Sequence, residues 1–567
     1  MLPMLNHYVA RCFTSITYTL LFDISFSMIV GTFGAIVAVQ PDKLLLISLG
    51  GFRHDYLDMA KSVNVDVSGF EHIWKSGFRA LRVENEFVTR TAPNHFSIVT
   101  GLHSESHGIV DNVFYDPDLN DTFALGNASQ NTQSRWFDVL GEPIWVTNVR
   151  HGYRSCVTSW PGSRAPIKGF LPSNFSLKHN SNILFKDSLN KALTCLQDEH
   201  TTLVLLYHHE PDTQGHITGP LSSEVMDVLD SLNEDIEYLL QRLHAVPSLR
   251  NSVNIILTSD HGMATVSRKN VIVLQDYISD DMYASPGKDL RVLWALWPKQ
   301  NFTAEDLLHS LKNRHPQLKV LLKTELPRRL FYTYNIRIAP VIAYAEPGWL
   351  VSRSKLSSEY MFPGGEHGYD PEFTDMSPFL LASGPGFRPV NDSHTIPSIK
   401  MVDLYPMMCY LLGLQNPGPH NGSLARVAHL LQPQNNSAHS WFASPWDAFI
   451  LCLTFALVAV LSVTLMVFGC MTHCCTRTRS TQAMRRARQR KTAKLAIPMT
   501  NFSTSIVSHS NLTRASGDHA HPGEDLQQLL RSLSDEDEVE HLDRNNKFYI
   551  SDETLLNMLH EPKSRYP

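Results

Sequence analysis

Cysteine is scarce in this chain. Eight occur in 567 residues, and only Cys156, Cys195 and Cys409 lie between its two long hydrophobic segments. A disulfide-built scaffold is therefore excluded: one bridge at most forms there, expected between Cys156 and Cys195, and one thiol is left over. An excess of one charge is also lacking, since 49 basic residues against 55 acidic ones leave a formal net charge of -6. That balance, with no stripe interleaving aromatic and basic residues, argues against nucleic-acid binding. No internal repeat is present, which removes solenoid and propeller arrays.

Long apolar runs are confined to two places, and they set the compartment. Ile24 to Ala38, "ISFSMIVGTFGAIVA", is short, follows Arg11 and ends in small residues. It reads as a signal peptide over 1–38, with an uncleaved anchor as the alternative. Residues 448–471, "AFILCLTFALVAVLSVTLMVFGCM", carry no charge and are followed by a basic run from Arg477 to Lys494. That is long enough to span a bilayer, and the flanking charge puts the C-terminus in the cytosol. A type I single-pass protein of the plasma membrane is expected, with an extracellular domain over 41–431 and a polar stalk over 432–447. A cytosolic tail over 472–567, polar and expected to be disordered, completes it. The tail's "DLQQLL" has the form of a dileucine signal for a sorting adaptor, and Cys470, Cys474 and Cys475 sit where palmitoylation occurs. Sequons at Asn120, Asn127, Asn174, Asn301, Asn391, Asn421 and Asn435 fall in the extracellular part, but Asn501 and Asn511 in the tail are as dense, so their number proves no secretion.

Within 41–431, "KLLLISL", "TTLVLLY" and "SVNIILTS" are apolar runs of strand length, separated by amphipathic stretches such as "VMDVLDSLNEDIEYLLQRLHAV". Strands buried on both faces and alternating with helices imply an α/β fold around a mostly parallel central sheet, with the site beyond the strands' carboxyl ends. Just past those ends stand Asp212 and His216, then Asp260 and His261, and much later His367 in "PGGEHGYDP". Any one of these histidines alone is an ordinary surface or core residue. Five Asp and His residues after strands or in glycine turns suit zinc, and a cluster of that size suits two ions bridged by a phosphate. In "RTAPNHFSIVTGLHSESHG", Thr91 precedes Pro93 at what should be the first turn of a helix, where its hydroxyl faces the positive end of the dipole. Without a metal to lower its pKa, such a threonine is only a cap.

The segments "TAPNHFSIVTGLHSESHGIVDN", "GEPIWVT", "WPGS", "EPDTQGHITGP", "SDHGM", "GEHGYDP", "DLYPMMCYLLGL" and "PHNGS" follow one another over about Leu44 to Ser423. They resemble the ecto-nucleotide pyrophosphatase/phosphodiesterase family of the alkaline phosphatase superfamily, most of all its short, single-pass type I members. No Cys/Ser-x-Pro-x-Arg motif occupies the nucleophile position, so a sulfatase is disfavoured. The resemblance implies an alkaline-phosphatase-like fold and two Zn2+ ions. Asp212, His216 and His367 would bind the first ion, and Asp260, His261 and Thr91 would touch the second. Thr91 would attack phosphorus, giving a phospho-threonine intermediate that water hydrolyses, and Asn112 would donate to the phosphate oxygens. The substrate implied is a nucleotide-type phosphodiester or pyrophosphate.

The chain departs from that pattern twice. In "LLLISLGGFRHDYL" the family's "SFDGFR" has an Asp, the remaining ligand of the second zinc, where this chain has Gly50. Asp55 is no substitute, since relatives carry both, and His54 would have to fold back. Ala92 stands where nucleotide-cleaving relatives carry an aromatic residue against the base, and Thr158 where a second one often precedes "WPG", so Trp145, Tyr207 or another aromatic would have to take over stacking. The expectation is an impaired zinc-dependent phosphodiesterase; the alternative is a catalytically silent ectodomain that binds or signals.

Overall fold

The computed structural model describes residues 42–433, apart from 139, 176–183, 288 and 389–393, together with scattered positions between 454 and 468. The signal peptide, the tail and nearly all of the stalk lie outside the described residues. Most of the expected span at 448–471 does too; its described positions are helical, and among the described residues no helix is long and apolar enough to cross a membrane.

The core of residues 42–433 is an eight-stranded mixed sheet. In chain order its strands are β1 (Lys43–Leu49), β2 (Gly77–Ala80), β3 (Arg154–Thr158), β4 (Asn174–Phe175), β5 (Thr201–His208), β6 (Val253–Thr258), β7 (Leu380–Ser383) and β8 (Thr395–Ile396). They lie in the order β8-β2-β7-β6-β1-β5-β3-β4. All pairings are parallel except the two made by β7, which runs antiparallel to both β6 and β2.

The three runs read as strands from the sequence are β1, β5 and β6, adjacent at the centre. Their continuous apolar character follows from burial on both faces. Leu44 and Leu46 of β1 point into one core cluster, and Leu45, Ile47 and Leu49 into the other, all fully buried. Each such side chain contributes about 1.5 to 3 kcal/mol on leaving water. The second cluster is closed by helices α1 (Tyr56–Ser62), α2 (Ser68–Lys75), α4 (Phe185–Gln197) and α6 (Ser223–Ala245). Against the first packs α3 (Thr91–Thr100), every residue of which is buried. The Cys156–Cys195 disulfide ties β3 to α4, the pairing expected from the three cysteines of this region, and Cys409 is a free thiol, buried.

A separate four-stranded antiparallel sheet, in the order Tyr283–Ala284, Leu293–Pro298, Val341–Ala345 and Leu318–Leu322, has its own apolar core. Between it and β7 the chain forms the short strand Gly365–Glu366, which pairs antiparallel with Ala264–Thr265, just beyond His261. That pairing carries His367 back to the end of β6.

Candidate active site

β5, β1 and β6 share one register, with Ser48 opposite both Tyr207 and Thr258, so their carboxyl ends open side by side. Beyond β5, Asp212 begins helix α5 (Asp212–Thr218), and one turn later comes His216. Beyond β6 stand Asp260 and His261, both fully buried. Beyond β1 stand only the two glycines. Gly50 donates its N–H to the His208 carbonyl (2.8 Å) and accepts from Asp212 N (2.9 Å). Gly51 donates to Asp260 Oδ1 (3.2 Å). Its φ of +65° and the 2.8 Å between a built Cβ and Asp212 Cα leave room for glycine alone. The glycine pair thus clamps both neighbouring segments while offering the site no side chain.

The glycine-rich loop before His367 is explained by the same close packing. A Cβ on Gly364 would come within 2.4 Å of Gly219 N, and one on Gly365 within 2.6 Å of the Gly215 carbonyl. The loop therefore lies directly on α5, and His367 Nε2 comes within 3.7 Å of Asp212 Oδ1. On the other side of Asp212, its Oδ2 is 3.6 Å from His216 Nε2.

Three histidines are oriented alike. His216 Nδ1 donates to the Gly365 carbonyl (2.9 Å), His261 Nδ1 to that of Gly262 (2.9 Å) and His367 Nδ1 to that of Thr89 (2.9 Å). A carbonyl can only accept, so each ring holds a proton on Nδ1 and turns its Nε2 edge away from that bond, the orientation that metal-ligating histidines adopt. The carboxylates complement them: Asp212 Oδ1 and Asp260 Oδ2 are buried with no hydrogen-bond partner. Orphaned buried carboxylate oxygens are expensive unless a cation meets them. Two groups bring ligand atoms within 4.8 Å of one another, Asp212 with His261 and His367, and His216 with Glu366 and His367.

Thr91 is the first residue of α3, and its Oγ1 lies 3.4 Å from His261 Nε2. Pro93, in the first turn, has no N–H to leave unpaired there. Two residues that the sequence reading gave no role fix this helix. Asn94 accepts from Glu86 N (2.8 Å) and donates to the carbonyls of Val88 (3.0 Å) and Arg90 (2.9 Å), bracing the approach to Thr91. His95 donates from Nδ1 to the Thr91 carbonyl (2.8 Å), and its Nε2 meets Ser48 Oγ (3.0 Å), tying α3 to β1. Asn112 Oδ1 accepts from Ala92 N (2.7 Å), which leaves its amide nitrogen as the donor available to a ligand.

Charge in the cluster is strongly perturbed. Burial opposes ionisation of Asp260, yet His261, His95 and the Gly51 N–H outweigh it and hold the carboxyl well below the ordinary carboxylate range. Burial alone would lower the His261 pKa, but Asp260, 3.2 Å away, raises it to about 9. Burial raises the Asp212 carboxyl against the pull of His216 and His261. Deep burial beside His261 and Arg90 pushes His367 well below its usual value. Such opposed shifts in one cleft mark a functional site.

Two aromatic replacements for base stacking fare differently. Trp145 is fully buried in the core and cannot face a ligand. Tyr207 is half-buried beside the cluster, and its hydroxyl lies 2.9 Å from where a Cβ on Gly50 would stand. His54 does not fold back: its charged neighbours are Asp55, Arg53, Asp375 and Arg82. Asp55 is engaged by Arg53 at 2.8 Å. Glu366, missed in the sequence reading, lies beside His216, His367 and Arg90. Its only sequence signal is adjacency to His367 in a glycine-rich loop.

Comparison with known proteins gives a consistent answer. The family model "Type I phosphodiesterase / nucleotide pyrophosphatase" matches residues 44–370. Ectonucleotide pyrophosphatase/phosphodiesterase family member 5 of Homo sapiens is 36% identical over 411 residues, covering 72% of this chain and 82% of that protein. The bis(5'-adenosyl)-triphosphatase of Homo sapiens is 38% identical over 398 residues, covering 70% and 83%. The solved structure of murine ectonucleotide pyrophosphatase/phosphodiesterase 5 superposes with a TM-score of 0.63 at 36% identity, covering 69% of this chain and all of that one. An inactive threonine-to-alanine variant of the murine protein, in complex with AMP, superposes equally well at 0.63.

Proposed function

The chain belongs to the type I phosphodiesterase/nucleotide pyrophosphatase family of the alkaline phosphatase superfamily and is a hydrolase of that class; from this premise we propose that it is a zinc-dependent, extracellular enzyme with Thr91 as nucleophile and reduced turnover. The observation that carries the reading is the gathering at the strand ends of His216, His261 and His367, each held by its Nδ1, with the buried carboxylates of Asp212 and Asp260, and Thr91 Oγ1 3.4 Å from His261 Nε2. Asp212, His216 and His367 would hold one ion, and Asp260 and His261, with Thr91, the other. Mixed Asp and His donors of this kind suit zinc. When bound, the ions supply Lewis acidity, lowering the pKa of hydroxyl and water and neutralising phosphate charge.

This chain's own residues do the rest. α3 aims Thr91 Oγ at phosphorus, where the new O–P bond forms as the bond to the leaving oxygen breaks. Water then cleaves the resulting phospho-threonine. The Asn112 amide nitrogen, with the positive end of the α3 dipole, meets the charge that grows on the phosphate oxygens. Asn94 and His95 keep Thr91 from turning away. A nucleotide phosphodiester or pyrophosphate is the substrate class, in line with the relatives' names, and the inactivity of the murine threonine-to-alanine variant supports a threonine nucleophile.

The same reading assigns the span at 448–471 to a single-pass anchor at the plasma membrane, with residues 41–431 outside and a sorting adaptor at the tail. The sequon residues Asn120, Asn127, Asn174, Asn301 and Asn421 are exposed, as glycosylation requires. Gly50 and Ala92 favour the second reading, a silent binding ectodomain. Hydrolysis of a p-nitrophenyl nucleotide ester by the purified protein, with and without chelator, separates the two: chelator-sensitive turnover supports the enzyme, and none at all supports the binder.

A further inference from the structure

Thr89 has no part in the reaction described above, yet it holds two parts of the cluster together. It stands two places before Thr91 and is fully buried. Asn94 takes the carbonyls on either side of it, those of Val88 (3.0 Å) and Arg90 (2.9 Å). The Thr89 carbonyl, left between them, accepts the His367 Nδ1 proton at 2.9 Å. Its hydroxyl grips the two residues that follow that histidine, with Oγ1 accepting from Gly368 N (3.0 Å) and donating to the Tyr369 carbonyl (2.8 Å). One threonine thus fastens the His367 loop to the segment that leads into α3. The seat is close, since a Cβ on Gly368, whose φ is +109°, would stand 3.0 Å from Arg90 Nε. The His367 ring in turn stacks on that of His261, with centroids 3.6 Å apart and planes at 11°. His261 Nε2 is the atom 3.4 Å from Thr91 Oγ1. The contacts that leave Thr89 through His367 and His261 therefore return to Thr91.

We propose that Thr89 is a positioning residue that sets His367 and Thr91 at a fixed spacing, so that the first ion and the nucleophile keep one geometry. The proposal rests on the metal-dependent reading above and deepens it. The bond to the Thr89 carbonyl survives any substitution there, but the hydroxyl that seats the loop for it does not. Without that hydroxyl a buried N–H and a buried carbonyl lose this partner, and the loop shifts to find others. His367 then turns from its place, and the ion is weakened with every ligand still present.

The test uses the full chain and compares wild type with Thr89→Val, which removes the hydroxyl and keeps the shape, and Thr89→Ser, which restores it. Tyr369→Phe is the control, because it frees the same loop from its other tie, Tyr369 Oη to the Trp349 carbonyl (2.9 Å). Thermal melting of the metal-free forms checks folding. Co2+ bands and Zn2+ affinity against a chelator report the first ion. The 15N signals of ring-labelled histidine, with His367 assigned by the signal that His367→Gln removes, report its Nδ1 proton in the metal-free protein. Thr89→Val is expected to weaken the tighter ion about 10- to 100-fold, to alter its Co2+ bands, to lower kcat more than it changes KM, and to displace the His367 proton. Thr89→Ser should recover most of each, and Tyr369→Phe should lower the melting temperature alone. If Thr89→Val does not fold, Thr89→Cys, a weaker donor in the same place, should show the same changes in smaller degree. Wild-type bands, affinity and proton signal in the folded variant overturn the proposal. So does an equal change in Tyr369→Phe, which would make Thr89 one of several braces of the loop. A wild type that binds no ion sinks the metal reading, and the proposal is then decided by the His367 proton signal in Thr89→Val.

Discussion

Two halves of one Asp/His cluster can be compared within this molecule. The half around Asp212, His216 and His367 is assembled from a strand end, a helix turn and a glycine loop, and Glu366 stands beside it. The half around Asp260 and His261 has Thr91, the proposed nucleophile, at 3.4 Å, and the strand that the family resemblance expects to complete it ends in Gly50. As proposed, the first half has ligand-type side chains and no nucleophile; the second has the nucleophile and fewer such side chains. On the proposed reading, holding metal and doing chemistry are divided between neighbours.

The largest expected effect comes from breaking the second half outright. Thr91→Ala should lower kcat/KM for a p-nitrophenyl nucleotide ester at least about 1000-fold, while metal analysis finds the first ion retained. Asn112→Ala, which removes the side-chain donor to the phosphate, should cost about 100-fold in kcat; an effect confined to KM would deny it a role in the transition state. Next, Gly50→Asp should make the halves alike. It is expected to raise turnover about 10- to 100-fold and to bring the metal content towards two ions per chain, and an unchanged rate would place the impairment elsewhere.

The smallest effect concerns the support beneath α3. His107 is buried, with Nδ1 accepting from Ile109 N (3.1 Å) and Nε2 facing Ser97 Oγ of α3 (3.0 Å), and burial pushes its pKa down to about 3. The unfolded chain takes up a proton near pH 6.5, whereas the folded one does not until about pH 3. Stability should therefore fall as pH drops through that window, by up to about 1.4 kcal/mol per pH unit from this group. Urea unfolding of wild type and His107→Gln at pH 7 and pH 5 measures it, since the variant should lose less on acidification.

The three central strands were legible because burial on both faces demands unbroken apolar runs, and their ends pointed to Asp212, His216, Asp260 and His261. Those readings needed only local periodicity. Strand β7, antiparallel among parallel neighbours, was not legible, because its direction depends on how the second sheet returns the chain. Trp145 had the chemistry of a stacking platform, and only packing reveals it as core. Glu366 is local to His367 in sequence, but its meaning depends on α5 and Arg90, which are distant in the chain. His95 is likewise long-range, reaching β1, whereas Asn94 braces a loop only four to eight residues before it, which no periodicity signals.

The Tyr207 hydroxyl beside Gly50 bears on how the proposed impairment can be repaired. Where a deleted carboxylate leaves an open hole, formate or acetate added to the buffer can settle into it and restore activity from solution. Here a phenol already crowds that entrance, so chemical rescue by small acids is expected to fail. Repair has to arrive on the backbone, with the flexible ring swinging aside, and this makes position 50 a genetic switch that solutes cannot throw.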